Sequence, residues 1–172
     1  DVLFYSDGTN IYDATHSIMP NGVVWSSNGT RMGPLIIPVI GDSSKFYVFQ
    51  VDGGSATFTG PCGPLGRWDG LYYHIVDMTR NGGLGDVVPG RKNISLVDST
   101  GEAVIAIMHE NGRDFWVIVR MAHTNTYHSY LVTENGVCTT PLISTFTGGL
   151  SSNPKGLMTL TPSHDETQIA IA

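Results

Sequence analysis

The groups in this chain most able to do chemistry are six histidines, fifteen acidic residues and two cysteines. Their spacing decides what they can do. His123 and His128 stand an odd number of positions apart, so on a regular strand they point to opposite faces and do not converge on one metal ion. His109-Glu110 starts like a zincin helix, but Asn111-Gly112 follow and Arg113 occupies the place of the second histidine. Cys62 and Cys138 are far apart with no paired-cysteine spacing, which excludes a zinc knuckle and leaves either one disulfide or two separate thiols. A serine nucleophile fares no better. There is no G-x-S-x-G elbow, and Gly41-Asp42-Ser43 has the composition of a turn between two strands. "GGLGDVVPG" is followed by Pro89 and a weak strand instead of a helix N-terminus, so it is no phosphate cradle.

Paired carboxylates are the remaining route to catalysis, because propeller glycosidases use them. Asp52, Asp69, Asp77, Asp86, Asp98 and Glu102 are the candidates, and most stand beside Gly or Asn where a solvated turn acid is the ordinary role. "YSDGTNIY" has the ingredients of a sialidase Asp box but the wrong spacing. The residues therefore point to no catalytic centre, no metal and no cofactor.

The elements that would position these groups are strands. Hydrophobic residues make up 41% of the 172-residue chain and charged residues only 14%, while 21 glycines and 9 prolines punctuate it. That mixture describes many short strands joined by turns. No segment holds a 3.6-residue apolar period over three turns, so helix should be nearly absent. No run is long and apolar enough for a membrane-spanning helix, and membrane insertion is not expected. A formal net charge of −6 with no basic run argues against a nucleic-acid partner.

The strands recur in a fixed order. "GPLIIPVIGDSS", "EAVIAIMHENGR" and "GLMTLTPSHDE" are each an apolar run ending in a polar turn, and each leads into a second strand: "KFYVFQV", "DFWVIVR" and "TQIAIA". A third strand follows twice, "GLYYHIVDM" and "TYHSYLVT", then an Asn-Gly turn and a weaker fourth strand, "NISLVD" or "PLISTF". In this register Phe46-Tyr47-Val48-Phe49 fall on Phe115-Trp116-Val117-Ile118, and Ile75-Val76 on Leu131-Val132. The opening residues fit as a second and third strand joined at Asp7-Gly8. A recurring four-strand unit favours an all-β, β-propeller-like array of four-stranded antiparallel blades over the alternative, a β-sandwich, whose strands need not fall into such an order. Residues 1–172 then form a single propeller-like domain of half a blade, two full blades and half a blade. Three to four blades do not close a ring of the usual size, so the reading expects part of a longer propeller or a partner that completes it.

Propellers bind through loops at the blade ends. The insertion from Gly53 to Gly70 lies between a second and a third strand and carries Phe58, Arg67, Trp68 and Asp69, residue types enriched at binding hot spots. The alternative is that Phe58 and Trp68 only pin a long loop to the blade. Asn28-Gly-Thr30 and Asn93-Ile-Ser95 match the eukaryotic N-glycosylation pattern.

"LFYSDGTNIYDATHSIMPNG", "FYVFQVD", "GLYYHIVDMTRNGGLGDVV", "NGRDFWVIV" and "GLMTLTPSHDETQIAIA", in this order, resemble the N-terminal propeller-like region of large secreted Bacteroidota proteins. Those proteins carry a C-terminal type B sorting domain for the type IX secretion system. The chain departs from that pattern at "TPSHDETQIAIA", where His164-Asp165 replace the usual Asp-Gly turn, and in the length of the insertion carrying Cys62 and Trp68. The resemblance implies export through the outer membrane and a secreted or cell-surface location. It also implies an adhesin or matrix role, in some members linked to gliding, and carries no catalytic residue across. "VDSTG" is similar to the O-glycosylation signal of such bacteria, which would place a sugar on Ser99. The expected function is a non-enzymatic scaffold or adhesion module with a protein or glycan ligand. It would reach the type IX machinery through a sorting domain not in this chain. The alternative is part of a secreted propeller enzyme acting on glycans.

Overall fold

A computed structural model describes residues 2–24, 33–51, 57–60, 63–67, 70–122, 124–145, 160–162 and 169–171. Asp7-Gly8 reverses the chain between β1 (Phe4–Ser6) and β2 (Asn10–Asp13), and β3 (Ile18–Val23) pairs on the far side of β2, giving a first sheet. A second sheet contains β4 (Leu35–Val39) and β5 (Asp42–Val51). A separate hairpin follows, β6 (Thr57–Gly60) and β7 (Gly63–Arg67). The second sheet then resumes with β8 (Leu71–Asp77), β9 (Asp86–Val87) and β10 (Ile94–Val97), in the order β10-β8-β5-β4 with β9 also on β8. The third sheet holds β11 (Thr100–Met108), β12 (Phe115–Met121), β13 (Thr126–Thr133), β14 (Gly136–Val137) and β15 (Leu142–Thr145). A last pair is formed by β16 (Leu160–Pro162) and β17 (Ile169–Ile171).

All pairings are antiparallel, and among the described residues the one helical turn is a 3-10 turn at Asn81–Gly83. The all-β expectation holds. The expected strand register is also found. Phe46 faces Val76 and Tyr47 faces Ile75 across β5 and β8, while Phe115 faces Val132 and Trp116 faces Leu131 across β12 and β13. Ile37 meets Tyr47 as Ile107 meets Trp116.

The sheets stack in series, three of them where a sandwich has two. Tyr47, Phe49 and Val51 on one face of β5 pack with Val104, Val117, Val119, Tyr130 and Val132 of the third sheet. Phe46 and Val48, on its other face, join Phe4, Ile11 and Met19 of the first. The second sheet is therefore buried on both sides, which is why β5 and β8 read as continuous apolar runs. The same face leads each time: Phe46 and Val48 look back to the first sheet, and their counterparts Phe115 and Val117 look back to the second. Trp116 and Ile118 form a further apolar cluster on the forward side. Among the described residues the sheets do not close a ring.

Two local expectations change. The opening segment is three strands, not two: "IMPNGV" is β3, which pairs with β2 although it contains Pro20. β3 is an edge strand, where a residue without an N–H costs no ladder bond. The insertion expected as a loop contains the β6–β7 hairpin. Asn81, Gly82 and Gly83 do take positive φ as their turn composition requires, at 51°, 66° and 92°.

Phe49 is wholly buried and touches both neighbouring aromatic rings, Tyr47 at 6.0 Å and Tyr73 at 5.6 Å. Phe49→Ala should lower the unfolding free energy by about 3–5 kcal/mol, read from urea melts. A loss below about 1 kcal/mol would mean that the interface between the second and third sheets is not the core.

Candidate functional site

The residues singled out for function do not gather in one place. Phe58 lies on β6 and Arg67 on β7, at neighbouring register positions, since Thr57 pairs with Arg67 and Phe58 with Gly66. Trp68, Asp69, Asp52, Cys62, His123, His164 and Asp165 lie outside the described residues. Cys138 is exposed, its Sγ 3.5 Å from the Thr140 carbonyl oxygen. Ser99 is exposed in the tight turn between β10 and β11, with a positive φ of 60°, and its carbonyl accepts from the Ala122 N–H. His128 sits in β13 with Nδ1 3.4 Å from the Tyr130 hydroxyl. Among the described residues no group of three His, Cys, Asp or Glu side chains is close enough to hold a metal ion.

Four of the described aspartates, Asp7, Asp13, Asp42 and Asp77, fasten turns. In Asp-x-Ser/Thr segments the carboxylate accepts the backbone N–H and the side-chain hydroxyl two residues on, the geometry of an Asx turn. Asp7 does so with Thr9 (2.8 and 2.9 Å), Asp13 with Thr15 (2.8 and 2.6 Å), Asp42 with Ser44 (3.1 and 2.6 Å) and Asp77 with Thr79 (3.0 and 2.7 Å). Further donors join each: Tyr12 Oη on Asp7 at 2.9 Å, Lys45 Nζ on Asp42 at 2.6 Å and Arg80 Nε on Asp77 at 3.4 Å. Burial tends to raise the Asp7 carboxyl, but its backbone and hydroxyl donors outweigh that and hold it well below the usual range. The Lys45 and Ser44 bonds draw Asp42 down to about 2. The Thr15 and Thr79 hydroxyls lower Asp13 and Asp77, and the Asn111 amide lowers Asp114. Groups held ionised in this way neither donate nor share a proton near neutral pH.

One polar group was not singled out from sequence. His74 stands in the middle of β8 and is completely buried. Its Nδ1 accepts the Asn93 N–H at 2.9 Å, which places the ring proton on Nε2. Nε2 then donates to Gln50 Oε1 at 2.7 Å, and Gln50 Nε2 donates to the Gly8 carbonyl at 3.0 Å. This chain joins the β1–β2 turn of the first sheet to β5, β8 and the segment before β10. Its signal in the sequence is a lone histidine inside the apolar run "LYYHIVD". Burial, assisted by the Lys92 charge, presses the His74 imidazole down to about 3.

A more exposed cluster lies on the outer face of the first sheet. Tyr5 and Tyr12 are cross-strand partners whose rings stack 5.0 Å apart with 12° between planes. Tyr5 Oη lies 3.2 Å from His16 Nδ1, and exposed Ile18 stands opposite Tyr12. The rings form an apolar platform with hydroxyl tips, able to pack a flat partner.

A scan against protein-family models and searches among curated proteins and solved structures found no match to this chain.

The His74 chain makes stability depend on pH. The unfolded imidazole takes up a proton below about 6.5, whereas the folded one does so only near 3. Its contribution is therefore complete above pH 6.5 and is lost as pH falls toward 3. Between pH 6.5 and 4.5, above the range where the turn carboxylates protonate, about 2–3 kcal/mol should disappear. His128, also lowered by burial, adds a smaller change of the same sign. His74→Gln should flatten most of that slope in urea melts taken across this range. An unchanged slope would exclude His74 as its source.

Proposed function

We propose that the chain is a propeller-type, non-enzymatic module of a secreted or cell-surface protein, serving as scaffold and as an adhesion or interaction surface. The observation that carries the proposal is the serial stacking of sheets in one register, each with the same face forward. Such stacking is head-to-tail, and head-to-tail contacts continue into rings or arrays. The turn-fastening carboxylates support the same reading, since their charges are spent on holding the blade ends in shape. The ligand is a glycan or a protein, met at the blade-end loops, with the hairpin bearing Phe58 and Arg67 as the first candidate. Export by the type IX machinery belongs to this proposal and rests on the sequence resemblance.

A glycan array and a reducing-sugar release assay on the same purified chain test it. Binding without turnover is expected. Turnover of any bound glycan would sink the scaffold reading in favour of a glycan-active enzyme.

A further inference from the structure

We infer that Asn81 is a self-modification site, whose side-chain amide is converted to an acid by attack of the Gly82 backbone nitrogen in the folded chain. The inference does not depend on the proposed function. Asn-Gly occurs at Asn21, Asn28, Asn81, Asn111 and Asn135. Glycine follows in each case, with no Cβ to shield its nitrogen and with wide backbone freedom. The sequence alone therefore does not rank the pairs. The pair at Asn28 lies outside the described residues, and the fold sorts the others.

The reaction needs two free partners. The asparagine side chain must swing its amide carbon toward the main chain, and the glycine nitrogen must be free to approach it. Asn111 meets neither condition. Its Oδ1 accepts the Arg113 and Asp114 N–H groups, each at 3.0 Å, and its Nδ2 donates to Asp114 Oδ2 at 2.8 Å. The Gly112 N–H donates to the His109 carbonyl at 2.9 Å. At Asn21, Nδ2 donates to Asp86 Oδ1 at 3.2 Å. Gly22 is buried so closely that a Cβ there would stand 2.6 Å from the Ile11 carbonyl oxygen. Asn135 is exposed, but Gly136 is paired with Thr133 where β13 turns into β14. The closing pair of a two-residue hairpin exchanges hydrogen bonds, which holds the Gly136 nitrogen in the ladder.

Asn81 differs on each count. It is exposed in the 3-10 turn after β8, and among the described residues its side chain makes no hydrogen bond. The turn's backbone bonds come from the N–H groups of Gly83, Leu84 and Gly85, and the Gly82 N–H is not among these donors. Gly82 and Gly83 are exposed, and a Cβ at either would meet open space. Turning the Asn81 carbonyl gives up the bond it accepts from the Leu84 N–H, a long one at 3.2 Å.

The chemistry needs only water. The Gly82 nitrogen loses its proton to solvent base and bonds to Asn81 Cγ. The Cγ–Nδ2 bond breaks, Nδ2 leaves as ammonia, and a succinimide ring is closed. Water then cleaves the ring nitrogen from Cγ, giving aspartate, or from the Asn81 main-chain carbonyl carbon, giving isoaspartate. In sum one water is consumed and one ammonia released. Either product adds a carboxylate next to Arg80, which already faces Asp77 at 3.4 Å and Asp86 at 3.9 Å. Asp86 also holds the Asn21 amide of β3, so the modification falls beside a link between the first two sheets.

The test incubates the purified full chain in mildly alkaline buffer, with and without urea, and follows each site by peptide mapping at acidic pH. Electron-transfer fragmentation distinguishes isoaspartate from aspartate. In the native chain Asn81 should react at least about tenfold faster than Asn21, Asn111 and Asn135, which must wait for local opening. In urea the same sites should react at comparable rates. Asn81 should yield both isoaspartate and aspartate. Three results would overturn the proposal. Asn81 could react no faster than the others in the native chain. Its lead could persist undiminished in urea, which would place the selectivity in the local sequence. Aspartate could form without isoaspartate, which would mean direct hydrolysis with no attack by Gly82.

Discussion

Burial of the second sheet on both faces is the constraint from which the rest of the structure follows. A sheet wetted on one side can send its polar side chains to water, but β5 and β8 have no such side. From Tyr47 to Val51 every residue of β5 is buried, and one of them is Gln50. An amide in that position costs several kcal/mol unless both of its ends are bonded. His74 and the Gly8 carbonyl meet that demand, and Asn93 completes the chain at the far nitrogen of His74. The polar chain is thus a consequence of the double burial. It also fixes where the first sheet sits, because Gly8 belongs to the β1–β2 turn and a shifted sheet would leave the Gln50 amide N–H without its acceptor.

The turns obey a related logic. Sheets stacked face to face leave their ends and edges to water, and the strand reversals there are held largely by their own side chains. Asp-x-Ser/Thr supplies that hold locally, since one carboxylate ties an N–H and a hydroxyl two residues on. Asp13 and Asp77 occupy the same place in two sheets: each follows directly on a paired position, Tyr5 with Tyr12 in one and Phe46 with Val76 in the other. The shared turn shows which residues correspond. Where the second sheet has Phe46 and Val76, covered by the first sheet, the first has two tyrosines on its more open face. Tyrosine keeps the ring for packing and turns a hydroxyl toward water or a turn carboxylate, here Asp7.

How much of this was legible in the sequence depended on whether a feature repeats. The pairing of Phe46 with Val76 and of Phe115 with Val132 could be aligned from the string alone, because strand, turn and strand recur with like residues at like places. β3 was not legible, since Pro20 and Asn21-Gly22 read as chain breakers and only its edge position makes them tolerable. The β6–β7 hairpin was missed for a similar reason: "GPCGPLG" is dense in turn residues on either side of a short reversal. His74 was passed over because a single histidine in an apolar run is equally consistent with a surface strand. Its role depends on Gln50 and Asn93, which are distant in sequence and adjacent only in the fold. The site residues placed by composition, Trp68 and Asp69 among them, had no repeat to fix their register, so their positions could not be derived in the same way.

Repetition also separates the surfaces that hold the stack together from those that are left over. A position that is apolar in each sheet and buried in each, such as Val48 and Val117, belongs to the stack. A position whose chemistry changes between equivalent strands is under a different demand. β10 and β15 are equivalent fourth strands, yet one ends among Arg91, Lys92 and Asp98 while the other lies in an uncharged run. Part of that difference belongs to the stack itself, since Lys92 Nζ donates to the Asn21 and Val23 carbonyls of β3 and so ties the approach to β10 onto the first sheet.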